Sequence, residues 1–209
     1  MATFTADIQP YDLAVFSTFE AGLGWELDKD RCALLVHDML PYYLSVLPAA
    51  QHEAVTTNAG RLVAAARSCE VPVLASAPRP ASEPAQRGLG GRLWGIGPTP
   101  AEAATSAVPE LQDGPVAWVA KRSLSAFYAT DLEVELRRLG RDQLDIAEVF
   151  ASGGVVATTF DALARDIEVF VVADAVGDDD RTLHEAALTQ VARSTGQVIP
   201  AARVLETLV

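Results

Sequence analysis

The chain has almost no lysine. Among its 209 residues only Lys29 and Lys121 carry an ammonium group, and arginine supplies the rest of its 16 basic residues. A lysine inside an apolar stretch therefore needs its own explanation, and Lys121 closes one, "PVAWVAK". Positive charge is scarce overall. A formal net charge of -12 argues against nucleic acid or an anionic membrane as partner, since both reward basic patches. The same sign gives no long-range attraction for an anionic substrate, so local Arg or Lys would have to supply it. Cysteine is equally sparse. Cys32 and Cys69 have no metal-type spacing and form no disulfide framework, so a cytoplasmic location is expected. The opening "MATFTADIQPYDLAVF" lacks a basic segment followed by an apolar core, so no signal peptide is expected. No apolar run approaches membrane-spanning length. Internal repeats and low-complexity tracts are missing as well.

What is present is an ordinary globular composition. Half the residues are hydrophobic and 21% are charged. The length fits a single domain over 1–209. Apolar runs alternate with helix-like segments. Strands are expected at 32–38, 71–77, 115–121, 143–150 and 167–176, with a short sixth at 196–200. Helices are expected at 52–69, near 130–139, after Gly153–Gly154 and near 182–194. Thr130–Glu133 and Thr182–Glu185 fit the S/T-x-x-E capping box, and Gly140 fits a helix C-cap. The alternation implies crossover connections, hence an α/β fold with a central, mostly parallel sheet between helical layers. The second, fourth and fifth strands read as continuously apolar, as strands buried on both faces do. The stretch 78–113 differs, being rich in Pro and Gly with no clear period in its middle. It reads as a long loop or lid over a site.

In open parallel sheets ligands bind at the carboxyl ends of the strands. That rule gathers Asp38 at the end of "ALLVHD", Ala77 and Pro78, Lys121, Phe150 to Gly154, and Asp174 on one rim. Each has a plainer reading. Asp38 fits a turn or N-cap acid, and Lys121 fits a strand leaving the core. Gly153–Gly154 fits a tight turn into a helix, or an anion site at its N-terminus. Asp174 and Asp178–Asp179–Asp180 read as solvated loop and cap acids. His37–Asp38 invites a metal, but no further ligand follows at metal spacing, so no metal is expected. His184 reads as structural. Tyr42, Tyr43 and Trp94 fit a core or a pocket wall equally.

The segments "GWELDKDRCALLVHDMLPYYL", "QRGLGGRLWG", "AKRSLSAFYATDLEVELRRLGRDQL", "DALARDIEVFVVADAV" and "VLE" resemble the isochorismatase-like hydrolases, most closely the isochorismatases of phenazine and siderophore pathways. The resemblance runs from about Ile8 to Val204. It implies a three-layer α/β/α fold, no cofactor, a small anionic substrate, and a homodimer or larger homo-oligomer. It places the catalytic aspartate on Asp38 and the catalytic lysine on Lys121. Many relatives carry a nucleophilic cysteine after the fourth strand; here that position is Gly154, which removes the acyl-enzyme route. Cys32 and Cys69 then read as small buried residues. What remains is hydrolysis of an enol-pyruvyl (vinyl) ether, with Asp38 protonating the terminal alkene carbon. The substrate would be isochorismate or 2-amino-2-deoxyisochorismate. Arg87, Trp94 and Gly154 match the family's pocket. Pro78 stands where relatives place a glutamine, Phe150 replaces a tyrosine, Ser152 a histidine and Leu40 a glutamine, while Arg79 adds a cation. Asp38 and Lys121 are kept while part of the recognition shell differs. The alternative is a divergent enzyme on another small carboxylate in natural-product biosynthesis, or a non-catalytic binding member. Because the chain ends at "VLETLV", no fused carrier domain is expected.

Overall fold

A computed structural model describes residues 5–208, so the first four residues of the expected leaderless N-terminus lie outside the described residues. In chain order the strands and helices are β1 (Ala21–Gly22), β2 (Cys32–His37), α1 (Pro41–Leu44), α2 (Ala49–Ser68), β3 (Val73–Pro78), α3 (Leu89–Trp94), α4 (Pro100–Ala103), β4 (Ala117–Lys121), α5 (Leu132–Arg138), β5 (Gln143–Val149), α6 (Val156–Leu163), β6 (Glu168–Gly177), α7 (Arg181–Ser194), β7 (Gln197–Ile199) and α8 (Ala201–Leu208).

The seven strands form one sheet in the order β1-β7-β6-β5-β2-β3-β4. All neighbours are parallel except β1, which pairs antiparallel with β7. The two-residue β1 has no apolar run and no period, so nothing in the sequence announces it. The chain starts the parallel sheet at β2, moves outward through β3 and β4, then crosses to the other side of β2 for β5, β6 and β7. The order therefore reverses between β2 and β5, the kind of crevice where open sheets bind ligands.

Burial explains the central strands. Every residue of β2, β3 and β5 is buried, so none can alternate between core and solvent. α2 covers the sheet with Val55, Ala59, Leu62, Val63 and Ala66, a helical stripe that is fully buried. One expectation needs correction here. The strand 143–150 is not continuously apolar, because Asp145 and Glu148 lie inside it, each 1% exposed. Its ladder with β6 also loses register between Ile146 and Glu148, where β5 approaches the rim.

The helix ends divide. Gly140 closes α5 in the left-handed region at φ 68°, as a C-cap glycine should. The two capping boxes do not form. Asp131 precedes α5 without a side-chain cap, and the Thr130 hydroxyl accepts from the Leu132 N–H at 3.3 Å instead. α7 starts earlier than expected, because Asp180 accepts from the Leu183 N–H at 2.8 Å. Aspartate caps as well as threonine, and the first suitable acid wins. The stretch 78–113 is also more ordered than its composition suggests. It holds α3, α4 and two 3-10 turns, Pro84–Arg87 and Pro109–Asp113.

Candidate active site

Asp38 follows directly on β2 and takes a left-handed backbone, φ 53°. Aspartate tolerates that region better than most residues, and such strain is concentrated at functional positions. The turn aims its carboxylate across the strand ends. Lys121, the last residue of β4, brings its Nζ to 2.5 Å from Asp38 Oδ2 and also donates to the Leu124 carbonyl at 3.0 Å. The Ser76 hydroxyl of β3 donates to Asp38 Oδ1 at 3.2 Å. Lys121 is 3% exposed and Asp38 7%. Lys121 is therefore not a strand end with a solvated head, and Asp38, although it does stand in a turn, is a buried acid held against an ammonium.

Burial and the ammonium pull the acid in opposite directions. Burial disfavours the carboxylate, while Lys121 and then Ser76 favour it. Burial is the larger effect, so Asp38 holds its proton above the usual carboxylate range.

The pair lies at the base of a cavity of about 980 Å³, the size range of small-molecule sites. Pro78, Arg79, Arg87, Trp94, Phe150, Ser152 and Gly154 all line it. Tyr42 is the exception. It packs with Leu40, Ala77 and Ala103, and its neighbour Tyr43 forms the cavity wall. On α1, consecutive side chains point in different directions, so only one of the two tyrosines can face inward. Arg87 is oriented by donating from its guanidinium to the Gly95 carbonyl at 2.7 Å. Ser152 is tied down by Asp178, which accepts from its N–H at 2.6 Å and from its hydroxyl at 3.1 Å.

That last contact corrects half of the reading of Asp174 and Asp178–Asp179–Asp180: Asp174 and Asp178 are not solvated, whereas Asp180 is the cap acid expected. Asp178 is 1% exposed and lines the cavity, and Asp174 is 8% exposed and accepts from the Ala201 N–H at the start of α8. Both serve as buried acceptors, Asp174 at a helix N-terminus where a negative charge is favoured. His184 packs against Phe16 and meets the Tyr11 hydroxyl at 2.9 Å, a structural role. Cys32 is fully buried as expected, whereas Cys69 at the end of α2 is only half-buried; both are free thiols.

Glu148, like Ser76, is a residue that sequence reasoning missed. It comes from β5, lines the cavity, and places Oε1 3.1 Å from His37 Nδ1. The only local signal was an acid inside an otherwise apolar run. A side chain at position 154 would collide with Glu148 Oε1 and reach His37 Cε1 at 3.1 Å, so the Glu148 carboxyl can stand here only because 154 is glycine. His37, Asp38 and Glu148 thus offer ligand-type atoms within 4.8 Å of one another. The Lys121 ammonium already holds Asp38, so a cation placed among them would meet a like charge at close range.

Comparisons with known proteins give the family and the fold. Residues 32–203 match the isochorismatase domain. Over 202 residues the chain is 36% identical to the phenazine biosynthesis protein PhzD1 of Pseudomonas aeruginosa, an alignment covering 96% of this chain and 98% of that one. It is 37% identical over 194 residues to a probable isochorismatase of Pseudomonas chlororaphis, covering 92% and 94%. A cysteine hydrolase from Pseudomonas syringae superimposes with a TM-score of 0.76 at 20% identity, over 88% of this chain and 95% of that one, which establishes the shared α/β fold.

Proposed function

The chain belongs to the isochorismatase family of hydrolases, and from that premise we propose that it cleaves the enol-pyruvyl ether of isochorismate or 2-amino-2-deoxyisochorismate. The products are pyruvate and a dihydro-hydroxybenzoate or its amino counterpart. The observation that carries the reading is the buried Asp38–Lys121 pair at the base of a cavity whose 154 position is glycine.

Asp38 is the general acid. Carbon accepts protons slowly, so the donor must arrive protonated and fixed in place. Burial raises Asp38 above the usual carboxylate range and so favours its acid form, and Lys121 and Ser76 fix the carboxyl. Protonation of the terminal alkene carbon yields an oxocarbenium ion, and water adds to it. The hemiketal then collapses to pyruvate and the ring alcohol. Lys121, Arg79 and Arg87 supply the positive charge that a substrate carboxylate needs in a protein of net charge -12. Trp94, Phe150 and Tyr43 give the ring an apolar wall, and Pro78, Ser152 and Gly154 complete the lining. The reading needs no cofactor and no metal. No helix among the described residues is long and apolar enough to cross a membrane; with two free thiols, we place the enzyme in the cytoplasm, as a homodimer or higher homo-oligomer. The whole of 1–209 acts as one domain.

The test is incubation with each chorismate-derived enol ether while pyruvate release is followed. Release from isochorismate or its 2-amino analogue is the expected result. Release from neither would overturn the reading in favour of a different small carboxylate.

A further inference from the structure

We propose that Glu148 is a second acid of this site, cycling the proton that the departing ring oxygen requires after Asp38 has protonated carbon. The proposal rests on the vinyl-ether reading above.

Glu148 is 1% exposed yet borders the cavity. Among the described residues its Oε2 has no hydrogen-bond partner, and His37 Nδ1, though 3.1 Å from Oε1, is not aligned to bond it. A buried carboxyl with an unpaired oxygen is costly unless the group has work that retains it. The charged and titratable groups facing it are His37 and Asp38 from β2, Lys121 from β4, and Asp178 beyond β6. Lys121 is committed to Asp38 at 2.5 Å and to the Leu124 carbonyl, so Glu148 has no cation of its own. Burial therefore outweighs the opposing charge of Lys121, favours the neutral acid and pushes Glu148 well above the ordinary glutamate range. His37 is held neutral, first by burial and then by Lys121. The cavity base thus holds one carboxyl gripped by an ammonium and a second one ungripped.

The two carboxyls divide the protons. Asp38 loses its O–H proton to the alkene carbon, and a C–H bond forms. Water bonds to the resulting cationic carbon, and its surplus proton returns to Asp38, leaving a neutral hemiketal. Glu148 then donates its O–H proton to the ether oxygen as that C–O bond breaks, the bonding pair leaving with the ring alcohol. The hemiketal O–H breaks in the same step. Its electrons form the C=O of pyruvate, and its proton passes to the other oxygen of Glu148. Both carboxyls end as they began, and water is the only co-reactant.

Position 154 makes the arrangement possible. A Cβ there would displace the Glu148 carboxyl, so an enzyme with a nucleophile at 154 could not place this acid where it stands.

The test compares wild type, Glu148→Gln and Gly154→Ala. Glutamine keeps the shape but cannot cycle a proton. Both variants should lose about 10²-fold in kcat with little change in KM. In Glu148→Gln the vinyl ether should disappear before pyruvate appears, because hemiketal collapse has become slow. Infrared spectra of wild type at neutral pH should show a protonated-carboxyl C=O band that Glu148→Gln lacks, a readout independent of turnover. The proposal is overturned if Glu148→Gln turns over like wild type, if that band is missing from wild type, or if purified wild type carries a stoichiometric metal that Glu148→Gln loses. A wild type that releases pyruvate from no enol ether would instead overturn the vinyl-ether reading itself.

Discussion

Pro78 and Lys121 are register partners at the carboxyl ends of β3 and β4. Whatever stands at 78 therefore borders the site beside its ammonium, and here it is a ring with no amide to offer. A pocket that recognises a substrate hydroxyl or carboxylate through a side-chain amide loses that discrimination when the amide is gone. The expected consequence is weak turnover of isochorismate by wild type and better turnover of a close analogue. Pro78→Gln should raise kcat/KM on isochorismate by up to about ten-fold, the worth of one neutral hydrogen bond. Steady-state kinetics on both substrates decide it. If wild type already handles isochorismate efficiently and Pro78→Gln changes nothing, recognition has not moved.

Asp38→Asn keeps the volume and the Ser76 contact but carries no transferable proton. Pyruvate release should fall by about 10²–10⁴-fold, the usual contribution of a general acid. Binding should survive, read from quenching of Trp94, which lines the cavity and is 46% exposed. The acid form is the active one, so wild-type kcat should decline as pH rises through the raised pKa of Asp38. Near-normal turnover in Asp38→Asn would remove it from the mechanism.

Sequence alone makes Asp38 and Lys121 legible because each ends an apolar run, and strand ends of a parallel sheet share one rim. Gly154 is gathered by the same strand-end rule, whereas the pocket roles of Arg87 and Trp94 are legible only through the family resemblance, since a loop residue has no periodicity to place it. Glu148 escapes both routes. Its meaning depends on His37 from the neighbouring strand and on the bare Cα at 154, contacts that no local pattern encodes. Tyr42 and Tyr43 are separated only by the direction α1 takes after Asp38. At α7 the expected Thr182 box gives way to the earlier acid Asp180, and at α5 Thr130 accepts from the Leu132 N–H in place of a box with Glu133.

Neither cysteine should matter to turnover. Cys32 is fully buried at the start of β2, and burial first, then Asp145, pushes its thiol far from the reactive thiolate. Cys69 sits at the C-cap of α2 and does not line the cavity. The Cys32→Ser, Cys69→Ser double variant should keep wild-type kcat, and a thiol alkylating agent should leave the folded protein active. Inactivation with the fold intact by circular dichroism would put a thiol back into the mechanism.

Asp145 gives the stability curve its slope. Neither of its carboxylate oxygens has a well-formed hydrogen bond among the described residues, and burial, opposed only by the neighbouring Cys32 thiol, pushes its pKa up to about 8. An unfolded aspartate titrates near ~3.9. Between those values the folded state keeps a proton that the unfolded chain has released, so stability falls as pH rises. The contribution is complete below about pH 4, declines through about pH 8 and is flat beyond it, with a total on the order of several kcal/mol. Asp145→Asn abolishes the titration without changing the side chain's size. Asp38 and Glu148 are also raised and add a decline of the same sign, but they titrate in both proteins, so the difference between the two curves isolates Asp145. Urea midpoints measured across this range should fall with pH in wild type and fall distinctly less in Asp145→Asn. Parallel curves would mean that Asp145 is already charged in the folded protein, and that an unseen partner meets it at the start of β5.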